Sequence, residues 1–194
     1  MKAVVQDRYG SAEVLQLSDI DKPEIGDHDV LVHVRAAGVN PADWAVMSGL
    51  PYIARLVYGL RKPKNPVRGT DVAGRVEAVG PSVTRFRPGD EVFGWCIGAY
   101  AEYASVSEDA LALKPATLTF EQAASVPMAG LVALQVLRDQ GNVQAGQSVL
   151  INGAVKACPI DRGVESVNAA KAVVARADAG DGVSGWTGVF KAPG

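Results

Sequence analysis

SVLINGA, at residues 148–154, is a short apolar strand followed by a glycine. Val149, Leu150 and Ile151 lie between Gly146 and Gly153. This is the pattern of a strand buried on both faces in a parallel sheet. When a glycine-rich turn and a helix follow such a strand, the three together open a dinucleotide-binding unit. Here Gly153 and Ala154 lead instead into Val155, Lys156, Ala157, Cys158, Pro159 and Ile160, and the glycine cluster is missing.

The segment beyond departs further from that pattern. Gly163 precedes a run with helical spacing through Val164, Val167, Ala170 and Val174. Glu165 near its start would repel a phosphate, and one glycine does not replace a cluster. No further strands are expected. Residues 155–194 contain no leucine and are dominated by Ala, Gly and Val. The expectation for this tail is a divergent or disordered segment, either genuine or the product of a frameshift or gene fusion. Translating the coding DNA in its other two frames is the check.

The 194 residues suffice for one large domain or one domain plus part of another. An apolar content of 48% is ample for a core. A net charge of -2 gives no reason to expect nucleic acid or an acidic membrane as partner. Cys96 and Cys158 are too few for a disulfide framework, and a reduced, cytoplasmic setting follows. No signal peptide and no membrane span is expected.

Residues 1–114 read as short strands joined by Gly/Pro turns, a barrel or sandwich pattern. Strands are expected at 2–6, 29–36, 71–79, 90–93 and 100–106. Residues 47–66 break that rhythm with an apolar run containing Tyr52 and Tyr58, then the basic Arg61, Lys62 and Lys64. They form either a surface loop with one helical turn tucked on the core, or a lid over a pocket with the basic residues outside. After Pro115 the period changes. Thr117 or Thr119 caps a helix containing Phe120, Ala123 and Ala124. Pro127 begins a second helix, with Met128, Leu131, Leu134 and Leu137 at core-like spacing and Gly141 at its end.

Several segments, in order and at consistent spacing, carry a resemblance. They are MKAVVQDRYGSAEVLQL, GVNPADW at 38–44, RGTDVAGRVEAVG at 68–80, FRPGDEVFG, GAYAEY, and AASVPMAGLVALQVL before GQSVLINGA. Over residues 1–154 the chain resembles the medium-chain dehydrogenase/reductase family, in its zinc-free quinone and enone reductase branch. The resemblance implies a mixed α/β fold, with a GroES-like β-barrel catalytic domain at 1–115. The start of a truncated Rossmann NAD(P)-binding domain follows at 116–154, and the off-pattern tail at 155–194. It also implies a cleft active site and hydride transfer from NADPH to a small-molecule quinone or α,β-unsaturated carbonyl, with no zinc. Zinc-dependent relatives carry Cys where this chain has Asn40 and His–Glu where it has Thr70-Asp71, and no Cys stands at 127–130. Relatives are often dimers, so a homodimer or self-association is expected. The competing expectation is a non-catalytic GroES-like remnant that binds a partner or nothing, its unsatisfied segment at 119–152 exposing apolar surface.

The resemblance assigns Asn40, Asp43 and Thr70 as catalytic. Asn40 would be an amide donor to cofactor or substrate, and Asp43 the orienter of its loop. Met128, Val132, Asn152 and Gly153, again with Asn40, would meet the cofactor. Trp44, Tyr52 and Trp95 would line the substrate pocket. The residues alone leave alternatives open. Asn40 also reads as a turn residue before Pro41, Trp44 as packing, Met128 and Val132 as core, and Asp71 as a buried structural acceptor.

Overall fold

The alternation of Val30, Val32 and Val34 builds a long inner strand, β3 (Asp29–Gly38). Its neighbour β4 (Asp71–Val79) is apolar through Val72, Val76 and Val79. The computed structural model describes residues 1–144 and the strands at 148–151, 173–177 and 186–187. The other strands of the first half are β1 (Lys2–Gln6), β2 (Leu15–Asp19), β5 (Glu91–Trp95), β6 (Tyr103–Ser107) and β7 (Leu111–Leu113). Five of them form one antiparallel sheet in the order β6-β3-β4-β5-β7. β1 and β2 make a separate antiparallel pair. Main-chain bonds tie β1 to neighbouring segments: Val4 N–H to Tyr100 O at 2.8 Å, and Gln6 N–H to Pro66 O at 2.8 Å.

The core lies on one face of the five-stranded sheet. Val30, Val32, Val72 and Val92 are wholly buried, with Val76, Phe86, Leu111 and Val106 around them. Each valine so buried contributes roughly 1.5–3 kcal/mol of transfer free energy. The expected strands at 2–6 and 71–79 have those bounds. β2 and β7, which sequence reading does not anticipate, are short pieces beside longer partners, where pairing rather than pattern decides.

The β3–β4 register is what positions the site. Val30 pairs with Val79 and Val32 with Val76, and irregularities fall between Leu31 and Val32 and between Val34 and Ala36. They bend the pair and bring Gly38 opposite Asp71 at the far end. Asn40, two residues past β3, therefore lies beside Thr70 and Asp71. There the chain enters a helix that sequence reading missed, α1 (Pro41–Ser48). A single-turn helix α2 (Arg55–Tyr58) follows. The segment carrying it is not tucked on the core: Tyr52, Ile53, Leu56, Val57 and Leu60 are all exposed. It is held by polar ties, Tyr9 OH to Gly59 O at 2.6 Å and Arg55 Nε to Gly49 O at 3.0 Å, with the Arg55 guanidinium over the Tyr9 ring.

Of the two candidate caps, Thr119 begins α3 (Phe120–Ala124). Its hydroxyl takes the Gln122 N–H at 3.2 Å, and Gln122 Oε1 takes the Thr119 N–H at 2.9 Å. Ala123 and Ala124 bury against Ala73 of β4. The next helix, α4 (Pro127–Leu134), continues as a π-helical segment over Gln135–Gln140 up to Gly141. The core-like spacing at 131 and 132 does not translate into burial, since Leu131 and Val132 are about half exposed. Residues 127–134 are apolar all round, so spacing could not select a face.

The chain divides into two compact units, 1–131 and 132–194. The division differs from the boundary expected near 115 because α3 packs on β3 and β4. The second unit holds a three-stranded sheet of β8 (Ser148–Ile151), β9 (Val173–Ala177) and β10 (Trp186–Thr187), in the order β10-β9-β8. Two expectations are corrected here. β8 pairs antiparallel with β9, Ser148 opposite Arg176 and Ile151 opposite Val173, rather than lying in a parallel ladder. Strands do follow it, so the tail is not structureless throughout. Val174, placed on a helical period by the sequence, is a strand residue beside Val173, as β-branched pairs favour. A three-residue apolar run does not distinguish parallel from antiparallel pairing. The rest of the expected 164–174 helix and the turn after residue 151 lie outside the described residues.

Replacing Phe86, 4% exposed within the core, by alanine is expected to destabilise the first unit by about 3–5 kcal/mol. Urea denaturation followed by tryptophan fluorescence measures this.

Candidate active site

GVNPADW folds as a helix start for local reasons. Asn40 is extended (φ -113, ψ 153), Pro41 opens α1, and Asp43 occupies the third helical position. The pair forms a capping box: the Asp43 carboxylate accepts the Asn40 N–H at 2.8 Å, and the Asn40 side chain faces the Asp43 N–H. This asparagine–proline–acid spacing is the signal from which α1 can be read.

Tertiary contacts turn the cap into a network. Asn40 Nδ2 donates to Thr70 Oγ1 at 3.2 Å and to Asp71 Oδ2 at 3.1 Å. Asp71, 1% exposed, also accepts the Met128 N–H, shared between its two oxygens at 3.2 and 3.3 Å. Thr70 donates to Asp43 Oδ1 at 3.4 Å, a long bond. The Tyr100 hydroxyl lies 3.1 Å from both Asp43 Oδ2 and Gly38 O and divides its one proton between them. Two glycines are required by close approach. A Cβ on Gly38 would fall 2.5 Å from Ala124 O, and Gly69, at φ +95, would drive one into the Tyr100 ring.

Burial raises the Asp71 pKa, against the hydrogen bonds from Asn40 and Met128, and the Asp43 charge raises it further. Burial, then the Asp43 carboxylate, pushes the Tyr100 phenol well above its ordinary value. Burial, reinforced by Asp71 and Asp43, pushes the Cys96 thiol up to about 12.

A pocket of about 390 Å³ opens beside this network. Asp43, Thr70 and Met128 line it with Val46, Val57, Tyr58, Trp95 and Ile97, and Lys64 and Arg68 add positive charge. The size suits a one- or two-ring ligand. Of the residues singled out by sequence, Asp43, Thr70, Met128 and Trp95 come together here. Asn40 does not reach the pocket. Both of its side-chain N–H donors go to Thr70 and Asp71 within the network. Trp44 and Tyr52 do not line the pocket and are exposed, 59% and 70%. Trp44 sits on the outer side of α1, and Tyr52 lies under the Arg55 guanidinium. Tyr58 takes the place expected for Tyr52. Val132 is outside the lining, and Asn152 and Gly153 lie outside the described residues. Tyr100 and Arg68, inside the quoted motifs GAYAEY and RGTD, are the functional candidates sequence reasoning passed over. Among the described residues no group of three or more His, Cys, Asp and Glu could hold a metal ion.

The alcohol dehydrogenase GroES-like domain family matches residues 26–116. Human quinone oxidoreductase is 40% identical over 171 residues, 84% of this chain and 50% of its own length. A 2-methylene-furan-3-one reductase of tomato (Solanum lycopersicum) is 36% identical over 164 residues, 79% of this chain and 40% of its own. Among solved structures, the quinone oxidoreductase of Coxiella burnetii superposes with a TM-score of 0.67 at 36% identity, over 75% of this chain and 46% of that one. The Escherichia coli quinone oxidoreductase complexed with NADPH gives 0.65 at 28% identity, over 76% and 43%. The chain belongs to the medium-chain dehydrogenase/reductase family, among the quinone oxidoreductases, with a GroES-like domain and a partial Rossmann-like fragment. It spans about half the length of the curated relatives it matches.

The Asp71 assignment is checked by pH. A carboxyl whose folded pKa lies above its unfolded value stabilises the fold fully below the unfolded value, near 3.8, and that stabilisation is lost as pH rises through the folded pKa. The difference in Tm between wild type and Asp71→Asn, measured from about pH 4 to about pH 7, therefore shrinks or reverses as pH rises. A difference that grows with pH contradicts the raised pKa. A second check is alkylation of the native chain by iodoacetamide near neutral pH. The Cys96 peptide stays unlabelled until denaturant is added, as mass spectrometry reads directly.

Proposed function

We propose that this chain carries the acceptor-binding half of a zinc-independent NAD(P)H-dependent oxidoreductase that reduces quinones or α,β-unsaturated carbonyls. The observation that carries this reading is the pocket. It is an apolar slot walled by Trp95, Ile97, Val46 and Met128, and its Thr70 hydroxyl is held by the Asn40–Asp43–Asp71 network. A flat acceptor packs between such walls, and Thr70, released from a long bond to Asp43, donates to its carbonyl oxygen. Asp71 holds the Met128 N–H and so keeps the first turn of α4 beside the pocket. NADPH, when bound, supplies the hydride.

Zinc independence rests on the donor set. Amide, hydroxyl and carboxylate groups already bonded to one another are poor tetrahedral ligands. The names of the relatives support the substrate class, and NADPH in the E. coli structure supports the cofactor. On this reading 1–115 is the catalytic domain, 116–154 opens the nucleotide-binding domain, and Val132, Asn152 and Gly153 face the cofactor. The half-exposed Leu131, Val132 and Val136 favour a second reading, a non-catalytic remnant that self-associates through this helix.

Titration with NADPH, followed by nicotinamide fluorescence with NADH alongside, separates the two. Saturable binding and quinone turnover are expected. No binding at millimolar cofactor, together with large oligomers by light scattering, would select the remnant. Trp95→Ala is expected to raise the quinone KM about tenfold with little change in Tm, because the removed ring is pocket wall rather than core.

A further inference from the structure

Arg68 is the one charged group in this pocket wall whose side chain is buried without a partner. It is 8% exposed, and its Nε is wholly buried with no hydrogen bond. No described residue hydrogen-bonds its guanidinium or pairs with it, and the charges near it are those of Tyr9 and Asp43. No ion pair joins it to Asp43, whose oxygens receive the Asn40 N–H and the Tyr100 and Thr70 hydroxyls. The backbone of Arg68 is fixed, its carbonyl accepting the Tyr100 N–H at 2.8 Å beside the tight turn at Gly69. Arginine stays protonated even when burial pulls its pKa down, so a desolvated cation borders the cavity. Buried cations without partners are costly, and a planar five-donor fork matches carboxylate and phosphate oxygens. Lys64 adds a second positive charge to the lining, which also includes Tyr58.

We propose that Arg68 forms an oxyanion subsite of this pocket, so that the molecule bound there carries a carboxylate or phosphate group beside its apolar ring. The inference rests on the reading of the pocket as the acceptor site and narrows the acceptor to an anionic one. The same chemistry would also seat a phosphate of the nucleotide cofactor, and the test tells the two sources apart.

The probes are a naphthoquinone bearing a short carboxylic acid arm, its methyl ester, and inorganic pyrophosphate. They are titrated into the whole chain by calorimetry and Trp95 fluorescence. Wild type is expected to bind the acid at least about tenfold tighter than the ester. Arg68→Met binds acid and ester alike, and Arg68→Lys falls between. Because Arg68→Met removes an unpaired buried charge, its Tm equals or exceeds that of wild type. A purely structural arginine would instead lower it. Displacement of the acid by pyrophosphate assigns the subsite to phosphate as well, and binding without displacement assigns it to the acceptor's carboxylate. Equal binding of acid and ester by wild type overturns the subsite while leaving the acceptor pocket standing. Failure of both to bind overturns the two together. A lowered Arg68→Met Tm with the acid preference retained also overturns the proposal. Arg68→Lys, which keeps the charge, decides the matter if Arg68→Met fails to fold.

Discussion

A carboxylate buried where β4 begins holds the first unit's functional end together. Asp71 is almost fully enclosed and is joined to groups from two other parts of the chain, the Asn40 amide before α1 and the Met128 N–H in the first turn of α4. An enclosed carboxylate with those bonds withdrawn would cost several kcal/mol, so its partners are constrained as firmly as the group itself. The raised pKa is the residue of that contest. Burial works against the charge, and hydrogen bonds offset only part of it.

The network exists because of strand register. Gly38 and Asp71 are paired across β3 and β4, and two irregularities in the ladder set that pairing. A one-residue slip would move Asp71 to the other face of the sheet and leave Asn40 without its acceptor. The near-contact of Gly38 with Ala124 and of Gly69 with Tyr100 then closes the space around the carboxylates. What remains open is the pocket, lined by side chains from α1, the exposed strap after it, the turn at 67–70 and the end of β5.

Much of this was legible in the residues. The alternation in β3 and β4 and the Thr119–Gln122 box each carry a local physical signal, and the structure follows them. The motifs GVNPADW and RGTD meet in one hydrogen-bonded network. Their roles were less legible. Asn40 read as a donor to a ligand, yet both its N–H groups are spent on Thr70 and Asp71, which lie some thirty positions further along the chain. Tyr52 read as pocket wall, yet the strap turns it outward and brings Tyr58 in. The apolar run at 148–151 read as a parallel strand, but strand direction depends on the partner, and β9 runs antiparallel to it.

By itself the sequence determined the elements with a short-range cause: alternating valines, caps, proline-led helix starts, and glycines where the backbone must turn or approach closely. It also determined the chemistry on hand, an amide, a hydroxyl and two carboxylates within GVNPADW and RGTD. Only the tertiary structure decided which of these groups face one another and which face the pocket. Hydrogen bonds between residues thirty or more positions apart, and a buried arginine with no partner, are consequences of register and burial. Neither leaves a local pattern along the chain, because each depends on distances that exist only after the sheet has formed.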